Sequence, residues 1–348
     1  MSAESRSSAA KTLRAGSSAS TSFISANKIL PYSRKYRLID GVRSSKDGPS
    51  TESVRSTNDC MLRIMADQSF SLTSRIPLNN GLSMPRIHLG VYLMNGSEAS
   101  SAVQHALEAG YRAVDSAQMY RNEKQVGKSV LDFLKAHPEV KREDIHYTTK
   151  LASNSDYNRA RRSITQSVKE CGLGYIDLFL LHSPYGGKQA RLDSWRAVED
   201  AIRAGEVKTG GVSNYGEKHL DELFASHPQV KPAVNQIEVH PFNTRTALTA
   251  YCQQHDIVVE AYAPLARALR MKHPVIVELA SKYGCTAGQL MVRWSLQKGY
   301  VPLPKSVRRE RIVENGGVGG FAISQGDVNR MGALDEYLVT DWDPVDAD

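Results

Sequence analysis

The sequence predicts an α/β protein of the closed (β/α)8 type, a TIM barrel, because three features coincide between residue 85 and the C-terminus. A short apolar strand followed by an amphipathic helix about twice as long recurs eight times. Continuous apolar strands that alternate with helices indicate a parallel sheet covered on its faces, and eight units in about 280 residues favour closure into a barrel. A doubly wound sheet would need a Gly-x-Gly-x-x-Gly turn after an early strand, which the sequence lacks.

Each strand is predicted from its own apolar run, and helices fill the intervals between them. Several helices carry boundary signals: Asn122 with Glu123 opens one, and four glycines stand where helices should end, at Gly110, Gly172, Gly205 and Gly284. Ahead of the barrel, residues 78–82 (LNNGL) predict the turn of a β-hairpin. The predicted strands span residues 87–92, 113–116, 145–150, 176–182, 208–213, 233–238, 258–263 and 301–304.

Residues 1–66 differ in texture from the rest of the chain, being Ser-rich and basic without sustained periodicity, so we expect a disordered leader there and a barrel domain over residues 67–348. The first thirty residues carry four basic side chains and one acidic one, the composition of an organellar transit peptide. The alternatives are an unstructured leader or an upstream start codon, with Met65 as the initiator. We expect a cytoplasmic location in those two cases, and a mitochondrial location if the leader is cleaved as a presequence.

Charge and cysteine content exclude several classes of function. The net charge of +7 is concentrated in residues 1–65, with 11 Lys/Arg against 5 Asp/Glu, whereas the remainder has 33 against 32. A near-neutral body argues against nucleic acid as a partner. No apolar run approaches the roughly 20 residues of a membrane helix. The four cysteines are far apart, with no CxxC pair and no His at metal-ligand spacing, which predicts reduced thiols and neither a disulfide framework nor a metal site.

Polar side chains end the predicted strands, and in a barrel of this type these ends surround the active site. Reduction of a carbonyl by a bound nicotinamide needs an acid for the growing alkoxide and donors that stabilise it. Tyr120 in the loop after the second strand is the candidate acid, with the Lys150 ammonium predicted to lower its pKa. Asp115 would keep Lys150 charged and oriented, and His182 would donate to the carbonyl oxygen.

Each of these four residues also has an ordinary structural explanation. Tyr120 would suit a surface loop, Asp115 a helix cap near Asn122, His182 a satisfied core position and Lys150 a solvated strand end. Convergence of three consecutive strand ends on one face favours the catalytic interpretation, because convergence is what a site requires.

Ordered motifs along the chain resemble those of the aldo-keto reductases, in the short-loop form of fungal and prokaryotic members. The resemblance covers about residues 69–348 and includes the hairpin that plugs the barrel bottom in that family. It implies reversible, NADPH-dependent reduction of an aldehyde or ketone, with Tyr120 as acid in reduction and base in oxidation, and Asp115, Lys150 and His182 completing a catalytic tetrad. The motifs are residues 115–123 (DSAQMYRNE), Thr149-Lys150, 181–184 (LHSP), 211–214 (GVSN), 235–238 (NQIE), 304–306 (PKS), 310–312 (ERI) and 314–315 (EN).

The same resemblance implies how the cofactor NADPH is held. Ser213, Asn214 and Gln236 would bind the nicotinamide carboxamide, while Tyr262 stacks on the ring, with Leu265 beside it. Barrel packing is the alternative for Tyr262, and a turn cap the alternative for Asn214. At the other end of the cofactor, the 2′-phosphate would meet Lys305, Ser306 and Arg311, and the adenine would lie against Glu314 and Asn315.

Two departures from the family pattern stand out. Ala263 replaces a common serine, and the run 316–320 (GGVGG) replaces a mostly apolar stretch, so we expect a weakened helix end and altered cofactor affinity. Short loops at 185–192 and 266–272 imply an open substrate pocket, lined by Tyr92, His182 and Trp342, with Trp195 in the helix core instead. These residues predict a small-molecule carbonyl substrate but do not identify which one. The resemblance to the family favours a monomer.

Two other functions stay open at this stage. A non-enzymatic NADPH-binding regulatory subunit of a larger assembly would keep the same pocket but show negligible turnover. A barrel lyase would use Lys150 to form a Schiff base with its substrate, which would leave the predicted carboxamide-binding residues without a purpose.

Overall fold

The computed structural model of the protein describes residues 70–348. The predicted leader, with Cys60 and Met65, lies outside the described residues, as do the first three residues of the predicted barrel domain. No helix within residues 70–348 is long and apolar enough to cross a membrane.

An antiparallel hairpin precedes the barrel, formed by β1 (Arg75–Pro77) and β2 (Ser83–Pro85). Its turn is the predicted LNNGL segment, in which Gly81 has a φ of +81° that favours glycine. The hairpin contacts the start of the strands: Asn79 donates to the Pro232 carbonyl at 2.9 Å, and Asn80 donates to Thr209 at 3.1 Å. The predicted hairpin that plugs the barrel bottom is therefore confirmed.

Eight parallel strands follow in strict chain order around one sheet. The two outer strands are joined by further backbone hydrogen bonds, from the His88 amide to the Pro302 carbonyl and from the Gly90 amide to the Pro304 carbonyl, both 3.2 Å, which close the ring. The predicted (β/α)8 barrel is confirmed. The strands are β3 (Leu89–Gly90), β4 (Ala113–Asp115), β5 (His146–Leu151), β6 (Ile176–Leu181), β7 (Val207–Ser213), β8 (Val234–Glu238), β9 (Val258–Tyr262) and β10 (Val301–Pro302).

Helices cover the outside of the barrel, with two shorter ones after the last strand. All four glycines predicted to end helices do follow a helix, and each adopts a positive φ, for example +62° at Gly284. The other three are Gly110, Gly172 and Gly205. The helices are α1 (Gly96–Glu108), α2 (Glu123–Ala136), α3 (Tyr157–Cys171), α4 (Lys188–Arg203), α5 (Glu217–Ala225), α6 (Thr246–Gln254), α7 (Pro274–Lys282), α8 (Ala287–Gln297), α9 (Arg309–Gly316) and α10 (Gln325–Gly332).

Alternation along the strands separates two apolar layers. In β6, Leu178 and Leu180 point into the barrel, where they pack with Met84 of the hairpin. Phe179 and Leu181 belong to the larger core between the strands and the helices. This apolar cluster fills part of the interior next to the hairpin, and the cavity lined by polar side chains lies at the opposite end, where the strands end.

Asn122 precedes α2 as predicted, but its side chain makes no capping hydrogen bond to that helix. Its side-chain Nδ2 donates to the Val91 and Met94 carbonyls, both at 3.1 Å, and its Oδ1 accepts from the Ser116 hydroxyl at 2.7 Å. Asn122 is buried, so it ties the loop after β3 to the loop after β4. This arrangement fixes the segment that carries Tyr120.

Gly127 allows α2 and α3 to approach closely. A Cβ at this position would lie 1.8 Å from the Cys171 carbonyl oxygen. We expect Gly127→Ala to destabilise the fold by about 2–3 kcal/mol, because backbone must move to accept the methyl group. Gly326→Ala is the matched control, since its Cβ would meet nothing closer than 4.0 Å and alanine favours the helix. Urea unfolding of both variants checks this, and equal midpoints would contradict it.

Candidate active site

A cavity of about 860 Å³ opens at the carboxyl ends of the barrel strands. It continues into a second cavity of about 390 Å³, and the two share lining residues that include Leu265 and Lys305. All the predicted site residues line one or both cavities except Lys150, which is fully buried behind the wall. The interpretation of the strand ends as one convergent site therefore agrees with the geometry.

Lys150 is held by oxygen atoms on three sides. Its Nζ donates to Asp115 Oδ1 at 2.6 Å, to the Ser116 carbonyl at 2.8 Å and to the Tyr120 hydroxyl at 3.4 Å. Three donors facing three acceptors use the whole ammonium group, and no lone pair is available to attack a carbonyl. This geometry disfavours the Schiff-base alternative. It also shows that Asp115 pairs with Lys150 and does not cap α2.

The Tyr120 hydroxyl faces the cavity from a short 3-10 turn, Gln118–Tyr120, directly after β4. Burial raises the pKa of Tyr120 well above 10, and the charge of Asp115 adds to this. The net shift of this pKa is opposite in direction to the predicted lowering by Lys150, because burial disfavours the phenolate more than the ammonium at 3.4 Å favours it. The hydroxyl consequently stays protonated throughout the neutral range, which suits a proton donor.

His182 follows β6, its ring 5.8 Å from the ring of Tyr120. Burial and, to a smaller extent, the charge of Lys150 together lower the pKa of His182 to about 3, so the imidazole is neutral at physiological pH. A neutral imidazole carries one N–H, and Nδ1 is buried with no partner among the described residues. If Nε2 carries the hydrogen, it can donate to a ligand oxygen beside Tyr120.

The three polar residues predicted to hold a carboxamide form a connected group. Ser213 Oγ donates to the Gln236 carbonyl at 2.8 Å, and Asn214 donates to the His182 carbonyl at 3.0 Å. Tyr262 donates from its hydroxyl to Asn214 Oδ1 at 3.0 Å, which leaves the tyrosine ring at the cavity wall. Asn214 has a φ of +60°, a conformation that asparagine tolerates better than most residues. These contacts fix the group before any ligand binds.

The second cavity is rich in basic side chains. Arg311 donates to both carboxylate oxygens of Glu314, at 2.8 and 2.6 Å, and Thr286 donates to the same carboxylate at 2.7 Å. Arg308 also lines this cavity, together with Lys305 and Ser306. Thr286 and Arg308 were missed because neither belongs to a motif that resembles the family pattern.

The glycine run after α9 has a packing explanation. A Cβ on Gly316 would lie 2.9 Å from the Tyr111 ring, and one on Gly319 would lie 2.2 Å from the Phe70 carbonyl oxygen. Tyr111 also donates to the Ile312 carbonyl at 3.0 Å. The helix ends at Gly316, and Gly316 and Gly319 permit close packing against Tyr111 and the Phe70 backbone.

The C-terminal segment forms one side of the cavity. Glu238 at the end of β8 accepts a hydrogen bond from the Thr340 amide at 2.9 Å, which places Trp342 edge-on to His182 with ring centroids 5.8 Å apart. Asp341 pairs with Arg267 at 2.9 Å, and both line the cavity. The expected open pocket is therefore narrowed by an ion pair, although the loops are as short as predicted.

Trp195 and three of the cysteines lie away from the direct contacts of the cavity. Trp195 is buried in the helix layer, where its indole donates to the Val230 carbonyl at 3.0 Å, as expected of a core residue. Cys171, Cys252 and Cys285 are free thiols. Burial raises the pKa of each of these thiols to about 11, so they are protonated at neutral pH.

Comparison with known proteins agrees with the geometry. An uncharacterized oxidoreductase of Schizosaccharomyces pombe is 45% identical over 273 residues, which cover 78% of this chain and 98% of that protein. The glyoxal reductase of Bacillus subtilis is 36% identical, over 76% of this chain and 94% of its own length. A Bombyx mori aldo-keto reductase solved in complex with NADP superposes with a TM-score of 0.72 at 30% identity, over 77% of this chain and 94% of that one. The model of the aldo/keto reductase family matches residues 86–336, and the chain belongs to this family of oxidoreductases.

Proposed function

We propose that the protein catalyses NADPH-dependent reduction of an aldehyde or ketone to the alcohol. The observation that carries this proposal is the cavity in which the Tyr120 hydroxyl, a neutral His182 and a buried ammonium converge, continuous with a second cavity rich in cations. NADPH would supply the hydride when bound.

The donor set suits both ends of that cofactor. In the second cavity, Lys305, Arg308 and Arg311 offer three cations to a phosphate, which favours NADPH over NADH. In the larger cavity, the side-chain amides of Asn214 and Gln236 and the hydroxyl of Ser213 match a carboxamide, which needs donors and acceptors. The likeness to an aldo-keto reductase solved with NADP supports the same choice.

Proton transfer is proposed to run through Tyr120. The carbonyl oxygen of the substrate would accept hydrogen bonds from the Tyr120 hydroxyl and from the neutral His182 ring, which orient it. As negative charge develops on that oxygen, Tyr120 gives up its proton, and the Lys150 ammonium at 3.4 Å stabilises the resulting phenolate. Asp115 keeps the ammonium charged and directed toward the hydroxyl. In alcohol oxidation the phenolate would take the proton back.

The substrate is proposed to be a small carbonyl compound. Tyr92, Met119 and Trp342 give the cavity an apolar wall, and Arg267 with Asp341 narrows it. Because a relative is named glyoxal reductase, dicarbonyl compounds belong among the first candidates to test. NADPH oxidation by the full chain should be measured against glyoxal, methylglyoxal, aromatic aldehydes, sugars and ketones. Absence of turnover on every one would refute the proposed reaction.

Cofactor preference gives a separate prediction. We expect Arg311→Ala to weaken NADPH binding about 10- to 100-fold while changing NADH binding less than about twofold, because a charge-assisted contact to the 2′-phosphate is lost. Arg309→Ala is the matched control, since Arg309 is exposed, lies 3.9 Å from Glu108 and does not line the cavity. Fluorescence titration of both cofactors measures this. Equal losses for NADPH and NADH would show that Arg311 does not meet the phosphate.

A further inference from the structure

Glu260 is a fully buried carboxyl group in the middle of β9 that the proposed mechanism does not use. It lies two residues before Tyr262, so alternation along the strand places both side chains on the interior face of the barrel. Its Oε2 accepts a hydrogen bond of 2.7 Å from Gln236 Nε2. Gln236 and Glu260 are also register partners of neighbouring strands, which makes this contact a direct cross-strand pair.

The same nitrogen of Gln236 also donates to Asp115 Oδ2 at 2.9 Å. An amide nitrogen has two hydrogens, and here each one points at a carboxyl oxygen. A flipped Gln236 would place its own oxygen against both acceptors, which is unfavourable. The amide is therefore locked in one orientation, and the carbonyl oxygen Oε1 is the side-chain atom that remains for a ligand in the cavity.

The other oxygen of Glu260 faces His88. His88 Nε2 lies 3.0 Å from the Pro85 carbonyl, which can only accept, so this nitrogen carries a hydrogen. His88 Nδ1 and Glu260 Oε1 are 3.2 Å apart, and both are buried with no other hydrogen-bond partner among the described residues. A single proton between these two atoms would satisfy both of them.

The surroundings favour the neutral forms of both groups. Burial and, to a smaller extent, the charge of Asp115 together raise the pKa of Glu260 to about 8. Burial, followed by His146, lowers the pKa of His88 well below 6.5. The other charged groups that act on this pair, Lys150 and Arg75, do not reverse either direction.

We propose that Glu260 is a positioning residue, held as the neutral acid by His88, that locks the Gln236 amide so that only its oxygen faces the nicotinamide carboxamide. This inference rests on the proposed function, because it assigns Gln236 Oε1 to accept from the carboxamide N–H2 group. A protonated Glu260 also leaves Asp115 as the carboxylate that pairs directly with Lys150.

The test compares two substitutions of Glu260 with two cofactors. Glu260→Gln reproduces the neutral acid, since its oxygen can accept from Gln236 and its N–H can donate to His88. Glu260→Leu removes both contacts and frees the Gln236 amide. We expect Glu260→Leu to weaken NADP+ binding about tenfold, by loss of one hydrogen bond and gain of a misdirected amide. Glu260→Gln should restore most of that affinity.

A second cofactor distinguishes loss of the Gln236 orientation from a general disruption of the cofactor site. The 3-acetylpyridine analogue of NADP+ carries a methyl group where the carboxamide has its N–H2, so it cannot use the locked oxygen. We expect Glu260→Leu to leave the affinity for this analogue within about twofold of the wild-type value. Equal losses for both cofactors, or no loss for either, would overturn the proposal while leaving the proposed reaction intact.

A measurement without cofactor completes the test. A protonated carboxylic acid has an infrared carbonyl band distinct from that of a carboxylate, and the full chain at pH 7 should show a buried band of this type that Glu260→Gln removes. An identical spectrum of the two proteins would contradict the neutral acid even if Glu260→Leu fails to fold. If the wild-type chain binds no NADP+ or NADPH at all, the proposed function fails and this inference fails with it.

Discussion

Tyr120→Phe is expected to lower kcat for carbonyl reduction by about 10²- to 10⁴-fold, the usual contribution of a positioned acid. The hydroxyl points into the cavity beside His182, and phenylalanine fills the same space without the proton. Burial raises the pKa of Tyr120 well above 10, so the wild-type acid remains protonated as pH rises through neutrality, and its rate should not fall there. Steady-state kinetics at saturating NADPH, between pH 6 and 9, measures both effects.

Tyr92→Phe is the matched control for this prediction. Its ring lies 5.1 Å from that of Tyr120 in the same cavity. Within residues 70–348 the Lys150 ammonium donates to Asp115, Ser116 and Tyr120, and not to Tyr92. We expect Tyr92→Phe to change kcat by less than about tenfold. NADPH affinity of Tyr120→Phe should stay close to that of the wild type. If the two variants lose equal activity, Tyr120 is not the proton donor.

Lys150→Met has the second large expected effect, because it leaves the Asp115 carboxylate buried without its cation. Removing one partner of a buried ion pair costs about 3–5 kcal/mol. Lys150 is fully buried, and Asp115 is 3% exposed, so water cannot replace the lost contact. Turnover should fall by at least about 10²-fold as well, since the phenolate of Tyr120 loses its stabilising charge. Chemical denaturation and initial rates measure these two losses.

The double variant Asp115→Asn with Lys150→Met separates stability from catalysis. It removes the orphaned charge and keeps an amide oxygen for the Gln236 contact, so more than half of the lost stability should return. Catalysis should not return, because the ammonium is still missing. A double variant as unstable as the single one would show that Asp115 is not the charge that Lys150 neutralises. Restored turnover would remove Lys150 from the mechanism.

The fold was predictable because its signals are local and repeated. Each strand shows as a short apolar run, and glycine at 110, 172, 205 and 284 ends a helix where a positive φ is needed. The positions of Asp115, Lys150 and His182 followed from the rule that strand ends converge in a barrel. Family motifs extended the prediction to the residues of the second cavity.

The contacts of Glu260 and His88 could not be predicted, because the sequence does not show which residues of neighbouring strands lie side by side. Period-two alternation from Tyr262 could have placed Glu260 inside the barrel, but its partner Gln236 is set by the pairing of β8 with β9. The direction of the Tyr120 pKa shift was also beyond the sequence, since it depends on how deeply the hydroxyl is buried.

The Arg267 and Asp341 pair is a third feature that the sequence could not supply. It joins residues 74 positions apart, and Asp341 reaches the cavity because Glu238 holds the Thr340 amide. The short loops predicted an open pocket, but the width of the cavity depends on where the C-terminal segment packs against the barrel. No local pattern encodes that return, which is a matter of tertiary packing.

In the proposed reaction, this cavity brings a hydride donor and a carbonyl together. The most direct test incubates the full chain with NADPH deuterated at both hydrogens of the nicotinamide C4, together with methylglyoxal or whichever carbonyl supports turnover. Mass spectrometry of the alcohol product then counts the deuterium. We expect one deuterium per product molecule on the former carbonyl carbon, and a loss of rate in Tyr120→Phe. Product that forms without deuterium, or bound NADPH that is never oxidised, would contradict it.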